Sequence, residues 1–250
     1  MCGNLTVKTE KNTRCSWNFV GKNKGLWCRY VRWVDRRLEN VYHSPLHGNY
    51  KNPTDEIFYI ILSKKTPPDR YRRVFKELRR ECGPWDKIRH ISQNRIVQIL
   101  YPLGISVTRA QQIQEIADKL YEDFGRVTLS PLKRYEESDA KSYLKGLPGV
   151  GEKSARCVMM YSLGFDISPM DTHATRILRR FGLLPEKVTS ALAHSIMDER
   201  LPKGMALRLH VNLIAHGRNT CSSRKPDCEE CVIHSRCCKV AKLLYVKKGD

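Results

Sequence analysis

Apolar residues recur at helical spacing along most of this chain, and nowhere do they alternate at every second position as in a strand. From Leu26 to His43, Trp27, Tyr30, Val31, Val34, Leu38, Val41 and Tyr42 form one stripe among arginines and lysines, which predicts an amphipathic helix. Ser44 to Pro53 is rich in Gly, Pro and Asn and reads as a linker. Ile57, Ile60 and Ile61 open a buried helix that ends near Ser63 to Thr66. Pro67-Pro68-Asp69 starts the next, with Tyr71, Val74, Phe75 and Leu78 inward and Gly83 as its stop. Ser92 caps a helix carrying Ile96, Val97, Ile99 and Leu100, and Gly104 breaks it. Val107, Ala110, Ile113, Ala117, Leu120 and Phe124 make the stripe of a long helix closed by Gly125. Further on, Ile177, Leu178 and Phe181 mark one helix, Leu192 and Ile196 another, and Leu207, Val211, Leu213 and Ile214 a third. The expected fold class is all-α.

Charge narrows the partner. The chain has 250 residues, with 45 Lys and Arg against 26 Asp and Glu, a net charge of +19. Such an excess implies a polyanion, and nucleic acid is the common one. The N-terminal stretch lacks an apolar core of signal-peptide length, and the longest apolar run, Ile57 to Leu62, is too short to span a bilayer. The expectation is a soluble intracellular protein, in the cytoplasm and nucleoid or, in a eukaryote, the nucleus. In a reducing compartment the ten cysteines argue for metal ligands rather than disulfides.

Two stretches carry chemistry. Leu147-Pro148-Gly149-Val150-Gly151 joins two helix-like segments, Asp139 to Lys145 and Glu152 to Leu163. Its glycines allow a backbone turn with positive φ and a close approach to another surface. The turn ends at a helix N-terminus, where unpaired N–H groups favour an anion such as a phosphate. Lys153 lies two residues beyond the turn, and Asp171 opens the next helix, where a plain N-cap role is the ordinary alternative. The second stretch is Cys221-x6-Cys228-x2-Cys231-x5-Cys237. Four thiols in one short loop without histidine suit either a four-sulfur zinc site or a [4Fe–4S] cluster, and spacing alone leaves both open.

Together these residues resemble the helix-hairpin-helix DNA glycosylases, in particular the endonuclease III branch. The resemblance rests on Leu147 to Ala155, on Met170-Asp171-Thr172-His173 with Arg176, on His216-Gly217-Arg218 with Cys221, and on the four-cysteine loop. It runs from about Asp55 to Cys237. It implies a two-lobed fold with a DNA-binding cleft: a six-helix barrel over 45–165, containing the helix-hairpin-helix at about 139–164, and a second lobe of 1–44 with 166–250. Lys153 and Asp171 would face each other across that cleft.

The implied activity is that of a bifunctional glycosylase and AP lyase of base excision repair, acting as a monomer on duplex DNA with a damaged, modified or abasic nucleotide. Lys153 would attack C1′ to form a Schiff base that undergoes β-elimination, with Asp171 as the carboxylate of the reaction. The base itself, more commonly a pyrimidine in this branch, is not specified. A monofunctional glycosylase using water and Asp171, or a non-catalytic DNA-binding protein, are the alternatives. The resemblance also selects the [4Fe–4S] cluster on Cys221, Cys228, Cys231 and Cys237. It implies DNA contacts at Leu147, Gly149 and Gly151 of the hairpin, at Arg224 and Lys225 of the cysteine loop, and at Lys64 and Ile105, which match positions that fill the gap left by a flipped base. Ile105 also reads as a core residue after a helix stop. The connection from Val127 to Leu147 is longer than in relatives, so about 128–138 is expected to be an insertion.

Overall fold

The computed structural model describes residues 23–104 and 106–237, and among them every regular element is helical. Ten α-helices follow in chain order: α1 Lys24–Tyr42, α2 Pro53–Ser63, α3 Pro68–Cys82, α4 Gln93–Leu100, α5 Ser106–Phe124, α6 Glu137–Gly146, α7 Glu152–Val158, α8 Thr172–Phe181, α9 Ser190–Arg200 and α10 Ala206–Asn219. Short 3-10 turns lie at Trp85–Arg89, Tyr101–Leu103, Ser130–Arg134 and His234–Arg236, and a π turn, Met159–Leu163, continues α7. The all-α expectation holds. No helix among the described residues is long and apolar enough to cross a membrane.

The chain divides into two compact units. One comprises residues 47–169 and the other residues 1–46 with 170–250.

In the 47–169 unit, α2 is the central element. Asn52 caps it through Thr54 N at 2.9 Å, Pro53 presets its first turn, and Ile57 to Leu62 are all buried. A helix apolar on all faces needs neighbours on all sides, and α3, α5, α7 and the π turn pack against it. Tyr50, Tyr59, Tyr71 and Phe75 form a chain of edge-on and tilted rings, continued by Trp85 and Phe58. The 127–134 segment is a packed part of this unit rather than a loose loop. Val127, Leu129 and Leu132 are buried, Val127 N donates to Asp86 Oδ1 at 2.9 Å, and Leu129 N donates to Thr54 Oγ1 at 2.9 Å.

The other unit gathers Trp27, Val31, Val34 and Leu38 of α1 with Ile177, Leu178 and Phe181 of α8, Ala193 and Met197 of α9, and Leu209 and Leu213 of α10. Trp27 Nε1 donates to Leu183 O at 2.8 Å inside this core. Glu39 on α1 accepts from Ser44 Oγ and from Asn212 Nδ2 on α10, each at 2.7 Å. Arg208 clasps the buried Asp35 with two nitrogens.

Four stripes are narrower than periodicity predicts. Val41, Val107, Leu192 and Leu207 are exposed.

Candidate active site and cysteine loop

The hairpin is α6, the turn 147–151, and α7. Leu147 and Val150 are buried and anchor the turn, while Val150 N donates to Leu147 O at 3.0 Å. Of its two glycines only Gly149 takes the left-handed conformation, φ 69. A Cβ there would also lie 2.6 Å from Gln112 Nε2. Gly151 departs from the expectation: its φ is −89, an ordinary value for any residue. A Cβ at Gly151 would meet nothing within 4 Å, so that glycine leaves open space before α7, which has no side-chain cap.

Lys153 is the second residue of α7. The charged groups around its helix are mostly neutralised in pairs. Lys145 Nζ and Arg156 Nε reach the two oxygens of Glu152 at 2.9 and 2.7 Å. Burial works against the charge on Glu152, but these two hydrogen bonds prevail and hold its carboxyl at about 2.

Lys64 ends up beside the turn. It caps α2, and its Nζ donates to Gly149 O at 2.5 Å. Burial, then the neighbouring charges of Lys153 and Arg109, lower its pKa. Lys65 follows in the left-handed region at φ 52, an uncommon conformation for a residue with a side chain. Arg109, on α5 and only 5% exposed, holds this turn. It donates to Lys64 O, to Thr66 Oγ1 at 3.0 Å, to Leu103 O at 3.2 Å and to Gly104 O at 3.3 Å.

Glu56 is fully buried on α2. Its oxygens accept from Asn49 Nδ2 at 2.5 Å and from Tyr50 N at 2.7 Å. Burial raises its pKa to about 8 against these bonds and against the charge of Lys153. Both residues carry a faint signal in the sequence: Glu56 is the acid that directly adjoins the apolar run Ile57 to Leu62, and Arg109 interrupts the stripe of α5. Ile105 lies outside the described residues.

The remaining candidates belong to the other unit. Asp171 is the N-cap of α8, its Oδ1 accepting from Ala174 N at 2.7 Å. The capping role is therefore real and occupies one carboxylate oxygen. Arg176, one turn on, ties α8 to the cysteine loop by donating to Cys221 O and Gly217 O, both at 3.0 Å. Gly217 must be glycine, since a Cβ there would fall 2.4 Å from His173 Nδ1 and 2.9 Å from His173 Cβ. This accounts for the glycine of the 216–218 motif.

The cysteine loop starts at the end of α10. Arg180 NH1 donates to Cys221 Sγ at 3.2 Å, and Cys237 Sγ donates to Arg180 O at 3.5 Å. Burial, reinforced by the nearby Cys237, Cys221 and Cys228, pushes the Cys231 thiol to about 11 against a backbone hydrogen bond at Ile233. His216 is buried and held near 4, mainly by burial and then by Arg176, so its ring is neutral. Tyr42 Oη lies 3.0 Å from His216 Nδ1, and His216 Nε2 lies 3.5 Å from Cys231 Sγ. If Tyr42 donates, Nε2 carries the proton and points it at sulfur. No three His, Cys, Asp or Glu side chains among the described residues converge as a closed metal site. Arg224 and Lys225 are exposed on the loop between the first two cysteines.

Residues 58–203 match the family model described as HhH-GPD superfamily base excision DNA repair protein. The chain belongs to that superfamily. Endonuclease III of Sulfolobus acidocaldarius is 28% identical over 192 residues, covering 76% of this chain and 83% of the relative. Endonuclease III of Treponema pallidum is 28% identical over 218 residues, covering 84% and 99%. Among solved structures, a non-covalent Endonuclease III–DNA complex matches with a TM-score of 0.76 at 20% identity, over 87% of this chain and 98% of that one. A thermostable thymine-DNA glycosylase matches with a TM-score of 0.74 at 20% identity, over 89% and 99%. At that identity both likenesses concern the HhH-GPD fold.

Proposed function

We propose that this HhH-GPD protein is a bifunctional DNA glycosylase and AP lyase of base excision repair. The observation that carries the reading is the placement of Lys153 directly after an uncapped glycine turn, in a chain whose relatives include proteins named Endonuclease III. The target nucleotide is flipped out of the duplex, at a cost of a few kcal/mol, before chemistry begins. The uncharged Lys153 amine attacks C1′, the glycosidic C–N bond breaks, and the base leaves. Sugar-ring opening gives an iminium, which acidifies the neighbouring C–H and allows β-elimination of the 3′ phosphate. Asp171 is the carboxylate of this reading, the hairpin with Arg224 and Lys225 holds the DNA backbone, and Lys64 is at a position that fills the gap left by the flipped base.

The residues of the cysteine loop fit a [4Fe–4S] cluster in their chemistry. Four cysteines fall within one short loop, and an arginine and an imidazole lie within reach of sulfur, at Cys221 and Cys231. Cys221, Cys228, Cys231 and Cys237 would hold it. Bound there, the cluster supplies a covalent closure of the loop that presents Arg224 and Lys225.

Two of the matched proteins bear different names, Endonuclease III and thymine-DNA glycosylase, and the excised base is left to a screen of duplexes carrying single modified bases. The deciding experiment for the chemistry is borohydride trapping on an abasic duplex. The wild type forms a covalent adduct, and Lys153→Ala binds the same DNA without forming one. A Lys153→Ala protein that traps as well as wild type refutes the assignment.

A further inference from the structure

We propose that His216 is a positioning residue of the cysteine loop: its Nε2–H, held in place by Tyr42 and Thr220, donates to the Cys231 sulfur and draws electron density from that ligand. The inference rests on the reading of the loop as a [4Fe–4S] site and extends it to three residues outside the four cysteines.

His216 opens a motif that the chemistry of Lys153 does not use. It is fully buried near the C-terminal end of α10, where both ring nitrogens need partners. It has them. Nδ1 lies 3.0 Å from Tyr42 Oη, and Nε2 lies 3.5 Å from Cys231 Sγ. The backbone of His216 is held as firmly as its ring. Its carbonyl accepts from Thr220 N at 3.0 Å and from Cys221 N at 2.7 Å, so the turn that carries the imidazole also carries the first cysteine. Tyr42 arrives from α1 with its ring edge-on to the imidazole, centroids 5.8 Å apart.

The direction of the protons follows from the donors present. Tyr42 Oη also lies 3.0 Å from Thr220 Oγ1, and the phenol has one proton for two neighbours. In one arrangement Thr220 donates to Tyr42, Tyr42 donates to Nδ1, and the ring proton sits on Nε2, facing sulfur. In the other Tyr42 donates to Thr220, Nδ1–H donates to Tyr42, and a bare Nε2 lone pair faces sulfur. A ligating cysteine is a thiolate, so the second arrangement sets two lone pairs against each other in a buried place. The first is therefore the arrangement of the loaded protein. Cys231 already takes a backbone hydrogen bond at Ile233, and the imidazole adds a side-chain donor from another element. Cys221 is served separately by Arg180 NH1 at 3.2 Å, a bond that substitution of His216 leaves in place.

A hydrogen bond to a ligand sulfur favours the reduced, more negative cluster, so it raises the reduction potential, and it stabilises the thiolate against loss of metal. Two measurements on the iron-loaded protein read these effects: the midpoint potential by voltammetry, and the rate at which an iron chelator bleaches the visible absorption. His216→Leu removes the donor and keeps an apolar side chain of similar bulk. It should lower the potential and bleach roughly tenfold faster, as expected for one hydrogen bond to a charged acceptor. His216→Gln retains an N–H that reaches as far as Nε2 and should return both readouts toward wild type, which a packing role alone would not do. Tyr42→Phe keeps the aromatic contact without the hydroxyl and should move both the same way by less. A His216→Leu protein with wild-type potential and bleaching rate overturns the inference and leaves the cluster intact. If His216→Leu takes up no iron, Tyr42→Phe decides, and wild-type values there overturn it. Wild-type protein that holds zinc without iron overturns the cluster reading and this inference together.

Discussion

Replacing Arg109 with methionine isolates the residue that holds the Lys64 turn. The two side chains are similar in length, so the change removes donors without opening a large cavity. Arg109 satisfies four acceptors, and no carboxylate is among them. The bond to Leu103 O is fully buried, and stranding that carbonyl costs about 1–3 kcal/mol. The other three acceptors are partly wetted and would recover water, so each costs roughly 0.5–1 kcal/mol. Against this stands the desolvation that the buried guanidinium suffers in the wild type, which lowers its pKa and is relieved in the variant. The balance is a destabilisation of about 2–4 kcal/mol. Urea unfolding followed by far-ultraviolet circular dichroism should show a lower midpoint at unchanged slope. Lys65, held at φ 52, loses the brace that over-determines it, so lyase activity should fall further than the population of folded protein. Arg109→Lys should recover only part of either loss, because one amine cannot span four acceptors. A methionine variant with wild-type midpoint and activity would mean that the turn is held by something other than this guanidinium.

Three further outcomes follow from the same structure. Glu152 titrates at about 2 instead of the ordinary 4.5, so its contribution is fully present above pH 4.5 and disappears as pH falls toward 2; Glu152→Gln should be less stable than wild type by about 1–2 kcal/mol at pH 7, with the gap closing in acid urea titrations. Purified protein should carry iron and sulfide near four each per chain, as a [4Fe–4S] cluster requires, with a broad visible absorption that Cys228→Ser loses; stoichiometric zinc without iron would reject the cluster. DNA affinity should fall with salt at a log–log slope of roughly −4 to −7, as expected if five to eight phosphates are engaged, and a slope near zero would place the basic residues away from the DNA.

The chain's local code determined most of the elements. The extent of α1, the proline start of α3, the Ser92 cap and the break at Gly125 depend on neighbours within a turn or two, and all of them fold as the sequence predicts. The glycine turn before Lys153 and the cysteine loop were legible for the same reason, since each is one short contiguous stretch. Gly151 shows the limit of that reading, because the sequence asks for flexibility where the backbone is ordinary and a Cβ would meet nothing within 4 Å.

Tertiary structure decided what surrounds these motifs. Burial around α2 holds the Glu56 carboxyl up at about 8 against the hydrogen bonds from Tyr50 and Asn49, a balance that a linear pattern does not encode. The Lys64 bond to Gly149 joins residues 85 positions apart, and the Tyr42–His216 contact joins residues 174 apart. The requirement for Gly217 exists only because His173 packs onto it. Protonation and reactivity follow from burial and from charges a few ångströms away, and both are properties of the fold. The sequence named an amine and four thiols; only the packed chain supplied the fields and hydrogen bonds that act on them.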